Sequence, residues 1–252
     1  MLAYVRPPGA SFAECALTFL EREGIDLDLA RQQHAGFVAA LREDGVEVRE
    51  LPALDDAPDA CFVEDVALLL DGVAVIARPA LESRRAELPA IEEALAADHE
   101  LLRMESPATL EGGDVIAIDG TLYVGQSGRT NHPGLKQLAH LVLEHGYRVK
   151  AAGVRGCLHL QTAATRVGED LLLVNPAWVD LHRMRGVRGI EVHPDEPFAA
   201  CALWTGKRVL HPEGFPRTRE RLERAGVEVV SLPLGEFQKA EAGPTCLTLR
   251  TR

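Results

Sequence analysis

The chain lacks long apolar runs and paired cysteines, and both absences exclude whole classes of protein. No apolar run approaches the ~20 residues of a membrane-spanning helix, and the first residues carry no signal-peptide apolar region. No Cys-x-x-Cys pair occurs, and the cysteines are odd in number and widely spaced, which argues against a disulfide framework or a zinc finger. They are Cys15, Cys61, Cys157, Cys201 and Cys246. We therefore expect a cytoplasmic protein with reduced thiols and no dedicated metal site.

Positive charge is scarce as well. The chain has 27 Lys and Arg against 38 Asp and Glu, a formal net charge of -11. Neither nucleic acid nor an anionic membrane attracts such a surplus of carboxylates, so we expect neither as a partner. Hydrophobic residues are abundant at 46%, and 252 residues suffice for a core. We find no linker or low-complexity tract and expect one domain over residues 1–252. Nothing in the sequence specifies the oligomeric state.

A helix end, a glycine and an alternating strand follow one another at three places in the chain. A glycine in this position suits the left-handed conformation that caps a helix. The three segments are Arg42–Val48, Leu143–Val149 and Glu223–Val229. Apolar spacing predicts helices before them near residues 29–41, 135–145 and 217–225, and a further helix near residues 88–95. The segment from Ser11 to Gly24 has weak periodicity and is expected to form a mobile flap.

Hairpin signals recur at a similar interval. Asp71-Gly72 and Asp119-Gly120 each lie between apolar runs, which predicts a tight turn with both central residues at positive φ. Variant turns follow near residues 169 and 206. The four units are about 40–50 residues long, in the range of repeat architectures. A fifth unit is completed if Cys246–Arg250 pairs with Leu2–Val5. That pairing would close a ring of α/β units and leave few strand edges open.

In four of the five units, candidate functional residues lie in the loop before the hairpin or the last strand, whereas the loop Ala199–Ala202 in the fourth unit has no charged residue. These candidates are Glu64 and Asp65, then Glu111 and Asp114, then His159, and finally Cys246. Taken singly, each has an ordinary explanation, such as a solvated strand entry, a turn, a hydrogen-bonded core histidine or a buried thiol. Their shared position in the repeat argues against coincidence. If the units surround an axis, these loops converge on it.

Together these residue types indicate the chemical class of the substrate. Carboxylates near a thiol raise its pKa, so they are a poor means of activating it. They do hold a cation well, and a guanidinium is a planar, permanent cation that pairs with carboxylates in fixed geometry. A cysteine can attack the guanidinium carbon, and a histidine can protonate the leaving amine and then activate water.

Six motifs occur in an order that is similar to one known family. They are Pro58–Asp65, Arg78-Pro79 with Glu82–Arg85, Leu110–Asp114, Gly128–Asn131, Leu158–Leu160 and the late Cys246. In these motifs the chain resembles the dimethylarginine dimethylaminohydrolases of the guanidine-modifying superfamily over nearly its whole length. The resemblance implies an α/β fold, the five-bladed α/β propeller or pentein, closed by pairing of its terminal strands.

The resemblance also implies roles for individual residues. Cys246 would be the nucleophile, His159 the general acid and base, and Glu111 the carboxylate that orients the histidine and the substrate. Seven further residues would bind the substrate. They are Glu64 and Asp65 at the guanidinium, Asp59 near the amino-acid end, Arg84 and Arg129 at the α-carboxylate, Leu17 in the flap, and Ala240 through its backbone. Two positions depart from the family pattern, because Ala240 replaces a larger aliphatic residue and Glu241 stands where an aspartate is common.

The implied reaction is hydrolysis of an Nω-methylated arginine to citrulline and dimethylamine or methylamine. It would pass through a covalent thiouronium on Cys246 and need no cofactor. Zinc between Cys246 and His159 would act as an inhibitor. An arginine deiminase, which releases ammonia, is the nearest alternative, although its relatives usually carry an extra helical domain for which this chain has no room. A non-catalytic binding propeller is the other, but such a protein need not keep Cys246, His159 and the carboxylates together.

Overall fold

Five small sheets make up the computed structural model, which describes residues 1–180, 184 and 186–251. Within these residues each sheet has three strands. In four of them the chain forms an antiparallel hairpin, and a third strand then pairs in parallel with the second strand of that hairpin. The strands of these four sheets are β3 Ala67–Leu70, β4 Val73–Ile76, β5 Glu100–Arg103, β6 Val115–Ile118, β7 Thr121–Gly125, β8 Arg148–Ala152, β9 Ala164–Arg166, β10 Leu171–Val174, β11 Arg188–Glu191, β12 Leu203–Trp204, β13 Val209–Pro212 and β14 Val229–Leu232.

The fifth sheet is assembled from the two ends of the chain, as the sequence predicts. Its central strand is β1 Leu2–Val5, which pairs in parallel with β2 Glu47–Glu50 and antiparallel with β15 Leu249–Arg250. The last strand is shorter than the predicted stretch from Cys246 to Arg250. The reason is a turn before it, in which the N–H of Thr248 donates to the carbonyl of Thr245.

The helices lie near their predicted positions, with one shift. They are α1 Leu27–Glu43, α2 Leu88–Leu95, α3 His132–Leu141, α4 Leu160–Ala163, α5 Pro216–Arg224 and α6 Gly235–Gln238. Helix α3 begins and ends several residues before the predicted range of 135–145. The Asn131 side chain fixes its start, because Oδ1 accepts a 2.7 Å hydrogen bond from the N–H of Gly134 and Pro133 fits the first turn.

The turns confirm most of the glycine predictions and correct one. The three predicted helix-ending glycines, at positions 45, 146 and 226, have φ of 81°, 83° and 83°. Asp119 and Gly120 both have positive φ, 45° and 68°, as a mirror-image hairpin turn requires. The prediction is wrong for the first hairpin, where Gly72 is at φ 75° and Asp71 is not at positive φ. One left-handed residue therefore suffices to reverse the chain there.

The apolar core is divided into five clusters, each shared by two sheets. The strand alternation explains this division, because successive side chains point to opposite faces. In β3, for example, Leu68 and Leu70 pack against the sheet of β6 and β7, whereas Leu69 packs against the terminal strands beside Tyr4. In the part of the chain described above, no helix is both long and apolar enough to cross a membrane.

Candidate active site

Short turns lead into the four strands β3, β6, β9 and β15, and five of the predicted site residues lie on or cap these turns. Glu64 and Asp65 lie on the 3₁₀ turn Val63–Val66, which leads into β3. Glu111 caps a 3₁₀ turn before β6. His159 is the N-cap of α4, which leads into β9, and Cys246 lies in the turn before β15. The common position inferred from the sequence is thus a structural fact.

Most of the predicted site residues line one small cavity. Seven of them do so: Asp59, Asp65, Arg84, Arg129, His159, Ala240 and Cys246. Leu17, Glu64 and Glu111 lie beside it without lining it. The cavity volume is about 30 Å³, and a single water occupies roughly 10–15 Å³ on this measure. The cavity must therefore widen before an amino acid can enter it.

A buried ion pair joins His159 to Glu111. Nε2 of His159 lies 2.8 Å from Oε2 of Glu111, and Nδ1 lies 3.9 Å from Oδ1 of Asp65. Burial alone would lower the pKa of His159, but the charge of Asp65 and the hydrogen bond with Glu111 raise it to about 9. Burial alone would raise the pKa of Glu111, but the hydrogen bond with His159 and its charge lower it to about 2. Near neutral pH the pair is therefore an imidazolium and a carboxylate, with a proton ready for transfer.

The two adjacent glycines before β6 allow this close packing. A Cβ on Gly112 would lie 1.9 Å from the carbonyl oxygen of Glu64. One on Gly113 would lie 2.8 Å from both Oδ1 of Asp65 and Nδ1 of His159. The sequence predicted a close backbone approach at this pair, and the group approached is the catalytic candidate itself.

Arg84 is held by protein groups on every side. Its Nη1 donates to Oδ2 of Asp65 at 2.7 Å, and Nε and Nη2 donate to the carboxylate of Glu87, each at 3.0 Å. Nη2 also donates to the carbonyls of Asp59 and Phe62. The structure thus places Arg84 in the cavity wall with most of its donors in use, and a substrate carboxylate would have to share it.

Arg129 is held more loosely. Its Nη1 lies 3.5 Å from Oε1 of Glu111, and its Nη2 donates to the hydroxyl of Thr18 at 3.3 Å. Asp59 also contacts the flap, since Oδ1 accepts from the N–H of Ala16. Burial raises the pKa of Asp59 despite the nearby charge of Arg84. Both residues therefore join the cavity to residues 11–24, hereafter the flap.

Cys246 is partly exposed at the cavity, whereas the other four cysteines are buried. A hydrogen bond with Cys201, burial, and the negative charges of Glu64 and Asp65 raise the pKa of Cys246 well above its ordinary value. The resting thiol is therefore neutral at physiological pH. This agrees with the expectation that carboxylates alone do not activate it, and it means that a cation is needed nearby to form the thiolate.

Glu64 lies behind the cavity. Its Oε1 accepts a 2.7 Å hydrogen bond from Nε2 of Gln161, which also donates to the carbonyls of Gly112 and Val115. The structure thus brings Glu64 next to the predicted site and orients it with a neutral amide.

The flap is held down by Glu241. Three consecutive N–H groups, those of Thr18, Phe19 and Leu20, donate to its Oε1. Glu241 itself has φ 58°, an uncommon conformation for a residue other than glycine. Leu17 packs against the core cluster beneath the flap. Glu241, which the sequence marked only as a departure from the family pattern, thus anchors the flap.

Asp65, Glu111 and His159 could also be considered as metal ligands, since one ligand atom of each lies within 4.8 Å of the others. Nε2 of His159 already lies 2.8 Å from Oε2 of Glu111, and Nδ1 faces Asp65. These contacts suit proton transfer, and we therefore interpret the cluster as an acid–base site.

Sequence reasoning missed several residues that shape the site. They are Glu87, which pairs with Arg84, Gln161, which binds Glu64, Glu241, which holds the flap, and Cys201, whose Sγ lies 3.3 Å from the hydroxyl of Thr245. Asp114 was noted without a role. It positions the histidine, because its Oδ1 accepts from the N–H of Leu160. The only signal for Glu87 and Gln161 was a polar residue close to a motif, which is too common to be informative.

Comparisons with known proteins show the family of the chain. A family model described as N,N dimethylarginine dimethylhydrolase, eukaryotic, matches residues 17–187. The chain is 39% identical over 251 residues to the N(G),N(G)-dimethylarginine dimethylaminohydrolase of Streptomyces coelicolor, covering 99% of this chain and 96% of that protein. It is 34% identical over 227 residues to the Pseudomonas aeruginosa protein of the same name, covering 89% of each. A structure of a Pseudomonas aeruginosa mutant of this enzyme complexed with citrulline matches with a TM-score of 0.92 and 31% identity, covering 99% of this chain and 98% of that one. The chain therefore belongs to the dimethylarginine dimethylaminohydrolase family.

Proposed function

We propose that this protein hydrolyses Nω-methylated L-arginine to L-citrulline and dimethylamine or methylamine. The observation that carries the proposal is the convergence of a partly exposed thiol, a protonated histidine and several carboxylates on one cavity. Membership of the family and the citrulline complex of a relative support the same substrate class. No cofactor enters the proposed reaction.

The substrate is bound through its three charged groups. Asp65 and Glu64 hold the guanidinium, and Asp59 takes the α-ammonium group. Arg129 binds the α-carboxylate, because its own contacts of 3.3 and 3.5 Å are long and easily exchanged. Arg84 shares this carboxylate while keeping its pairs with Asp65 and Glu87. Leu17 and Ala240 supply backbone contacts from the flap and the last loop.

The first half-reaction forms a covalent intermediate. The bound guanidinium places a positive charge beside Cys246 and lowers the pKa of its thiol, so the thiol proton passes to solvent and a thiolate forms. The sulfur bonds to the guanidinium carbon, and the bond from that carbon to the methylated nitrogen breaks. His159 gives its proton to this nitrogen, which leaves as a neutral amine. The product is an S-alkylthiouronium on Cys246, and Glu111 holds the imidazole in place throughout.

The second half-reaction uses the neutral imidazole left by the first. His159 takes a proton from water, and the hydroxide attacks the thiouronium carbon. The carbon–sulfur bond then breaks, and the proton of the new hydroxyl group passes to the departing sulfur. This step forms the ureido group of citrulline and returns Cys246 and His159 to their starting states. The same histidine thus acts as acid and then as base. Its pKa must therefore lie close enough to the working pH for both the protonated and the neutral ring to form.

We infer that the five sheets form a closed five-bladed α/β propeller in one domain spanning residues 1–252. The five apolar clusters support this, because each joins two sheets and the five together connect all the sheets in a cycle. The free thiols suit a reducing, cytoplasmic location.

The test of this mechanism is an acid quench during turnover of asymmetric dimethylarginine, followed by peptide mass mapping. We expect the thiouronium mass on the peptide that contains Cys246. Cys246→Ser should lose turnover and the adduct while keeping the parent's melting temperature. Cys61→Ser, a buried thiol outside the cavity, should keep both. An adduct on another cysteine, or equal losses in the two variants, would refute the assignment.

A further inference from the structure

A second cavity is lined by two arginines that the proposed reaction does not use. It has a volume of about 110 Å³, and its lining includes Gln161, Arg166, Trp204 and Arg250. None of its lining residues also lines the substrate cavity. We call it the arginine cavity.

Both guanidinium groups carry buried donors without partners. Nε of Arg166 and Nη1 of Arg250 are each buried and have no hydrogen-bond partner among the described residues. Buried donors in folded proteins are almost always satisfied, by protein, water or a bound ion. Both arginines line the same cavity, so an acceptor that enters the cavity would lie beside two guanidinium groups whose donors are not all satisfied by the protein.

Arg166 is fixed in orientation while leaving this donor unused. Its Nη1 donates to the carbonyl of Ala117 and its Nη2 to the carbonyl of Glu169. Its guanidinium carbon lies 5.7 Å from the centroid of the Trp204 ring. These contacts hold the guanidinium plane in place. The partners in them are two carbonyl groups and an indole ring, so none of them neutralises the positive charge of Arg166.

Arg250 faces the same surplus of positive charge. Burial lowers its pKa, the charge of Glu64 opposes this, and the charge of Arg166 lowers it further. The lining of the cavity includes no Asp or Glu among the described residues. An anion bound beside the two guanidinium groups would relieve their mutual repulsion.

We propose that the arginine cavity binds a small tetrahedral oxyanion of the phosphate class. Guanidinium groups bind oxyanions through forked hydrogen bonds, and two groups together suit an ion with several oxygens. The cavity holds several times the roughly 10–15 Å³ of one water, which is enough for such an ion and too little for a nucleotide.

A hydrogen bond between Gln161 and Glu64 links the wall of the arginine cavity to a residue directly behind the substrate cavity. Gln161 lines the first and donates to Glu64 behind the second. An anion that offsets the charge of Arg250 would leave more of the negative charge of Glu64 available to a guanidinium. This consequence, which rests on the proposed function, is a lower KM for dimethylarginine in phosphate. Phosphate bound at Arg129 would instead compete with the substrate carboxylate and raise KM.

The test is titration of the whole protein with inorganic phosphate by calorimetry, at constant ionic strength kept with sodium chloride. We expect one saturable site. Arg250→Gln and Arg166→Gln should each weaken binding by about tenfold or more, as the loss of a charged partner commonly does. Arg155→Gln, which removes an exposed arginine, and Arg129→Gln, in the substrate cavity, should bind phosphate as the parent does.

Arg250 lies in the strand that joins the chain ends, so Arg250→Gln could fail to fold. Arg166→Gln then carries the comparison, with circular dichroism as the check on folding. Binding that is lost in Arg129→Gln but kept in Arg166→Gln would place the ion in the substrate cavity and overturn the proposal. So would the absence of saturable phosphate binding by the parent. A KM that rises with phosphate would overturn the connection to Glu64.

Discussion

At the scale of single residues, the central feature is a buried, hydrogen-bonded ion pair whose proton is held on the histidine. His159 and Glu111 are fixed 2.8 Å apart, with pKa values of about 9 and about 2. The low pKa of Glu111 keeps it anionic. The charge of Asp65, the hydrogen bond with Glu111 and the charge of Glu111 together keep the proton on the imidazole. Removing the charge of Glu111 should therefore change the protonation of the histidine first and catalysis as a result.

We predict that Glu111→Gln lowers the pKa of His159, because the hydrogen bond remains possible while the negative charge is gone. The ring signals of His159 in NMR spectra recorded across pH should titrate below about 9. Turnover should fall by roughly 10²–10⁴, the usual value of a positioned proton transfer. Glu93→Gln, a change at an exposed position on α2, should leave both properties unchanged. An unshifted His159 titration in Glu111→Gln would refute the pairing.

The same pair should make stability depend on pH. A raised histidine pKa stabilises the folded state fully below the unfolded value of 6.5, and this contribution is lost as pH rises through about 9. The lowered pKa of Glu111 contributes fully above 4.5, and this contribution is lost as pH falls through about 2. We predict that urea unfolding shows the parent losing stability between pH 6.5 and 9, and that Glu111→Gln loses less. Parallel curves for the two proteins would contradict this.

Sequence reasoning predicted which residues react but missed the residues that support them. Cys246, His159 and Glu111 each follow a recognisable pattern at the same point of a repeat. Gln161 binds Glu64 across 97 positions of the chain, and this pairing depends on three-dimensional packing that no local pattern encodes. Glu87 lies only three residues after Arg84, but charge pairs at this spacing are too common to mark a site. The free energy of an ion pair such as that of Arg84 and Asp65 is likewise decided by burial, which only the structure shows.

At the scale of elements, the flap and the last loop form one closing device. Glu241 accepts three backbone hydrogen bonds from the flap, and Arg129 donates to Thr18 within it. The small volume of the cavity shows that this closed arrangement has to open for substrate to enter and to close again around it. The hydrogen bonds to the carboxylate of Glu241 stabilise the closed flap, so this residue sets the equilibrium between the closed and the open flap.

We predict that Glu241→Ala frees the flap. Amide hydrogens of residues 18–20 should exchange with solvent faster, and trypsin should cleave sooner after Arg22. KM for dimethylarginine should rise several-fold while the melting temperature changes little, because only surface hydrogen bonds are lost. Glu236→Ala removes a carboxylate that accepts from the N–H of Asp26 near the start of α1. It should affect stability but not KM, and an equal rise in KM for both variants would remove the special role of Glu241.

The secondary structure was predicted well where chain-local rules decide it. Helix α2 has the predicted bounds, and the helix-ending glycines have the predicted conformation. The errors have physical causes of another kind. Asn131 starts α3 earlier than its apolar spacing indicates, and the turn after Pro244 shortens the last strand. A side-chain cap can override periodicity because it satisfies an otherwise unpaired N–H group.

At the scale of the whole molecule, the chain ends hold the fold together. Strand β1 is the central strand of its sheet, so both β2 and β15 depend on it. Tyr4 on this strand is 1% exposed and belongs to the cluster shared with β3 and β4. The sequence predicted this pairing from the repeat count. Four units are visible, and the first and last strands complete a fifth unit if they pair with each other.

We predict that deleting residues 2–5 destabilises the entire domain in one cooperative step. The deletion removes two strand pairings and part of two apolar clusters at once. Thermal unfolding followed by circular dichroism should show loss of structure in all five sheets together. A truncated protein that melts like the parent would mean that the N-terminal strand does not close the ring.

The central claim is that methylated arginine is the substrate, and it has one direct test. Citrulline formation should be measured for asymmetric dimethylarginine and for L-arginine under the same conditions, giving kcat/KM for each. We predict a higher value for dimethylarginine, with one dimethylamine released per citrulline and none of either from Cys246→Ser. Faster conversion of arginine to citrulline and ammonia would contradict the account and make the protein a deiminase.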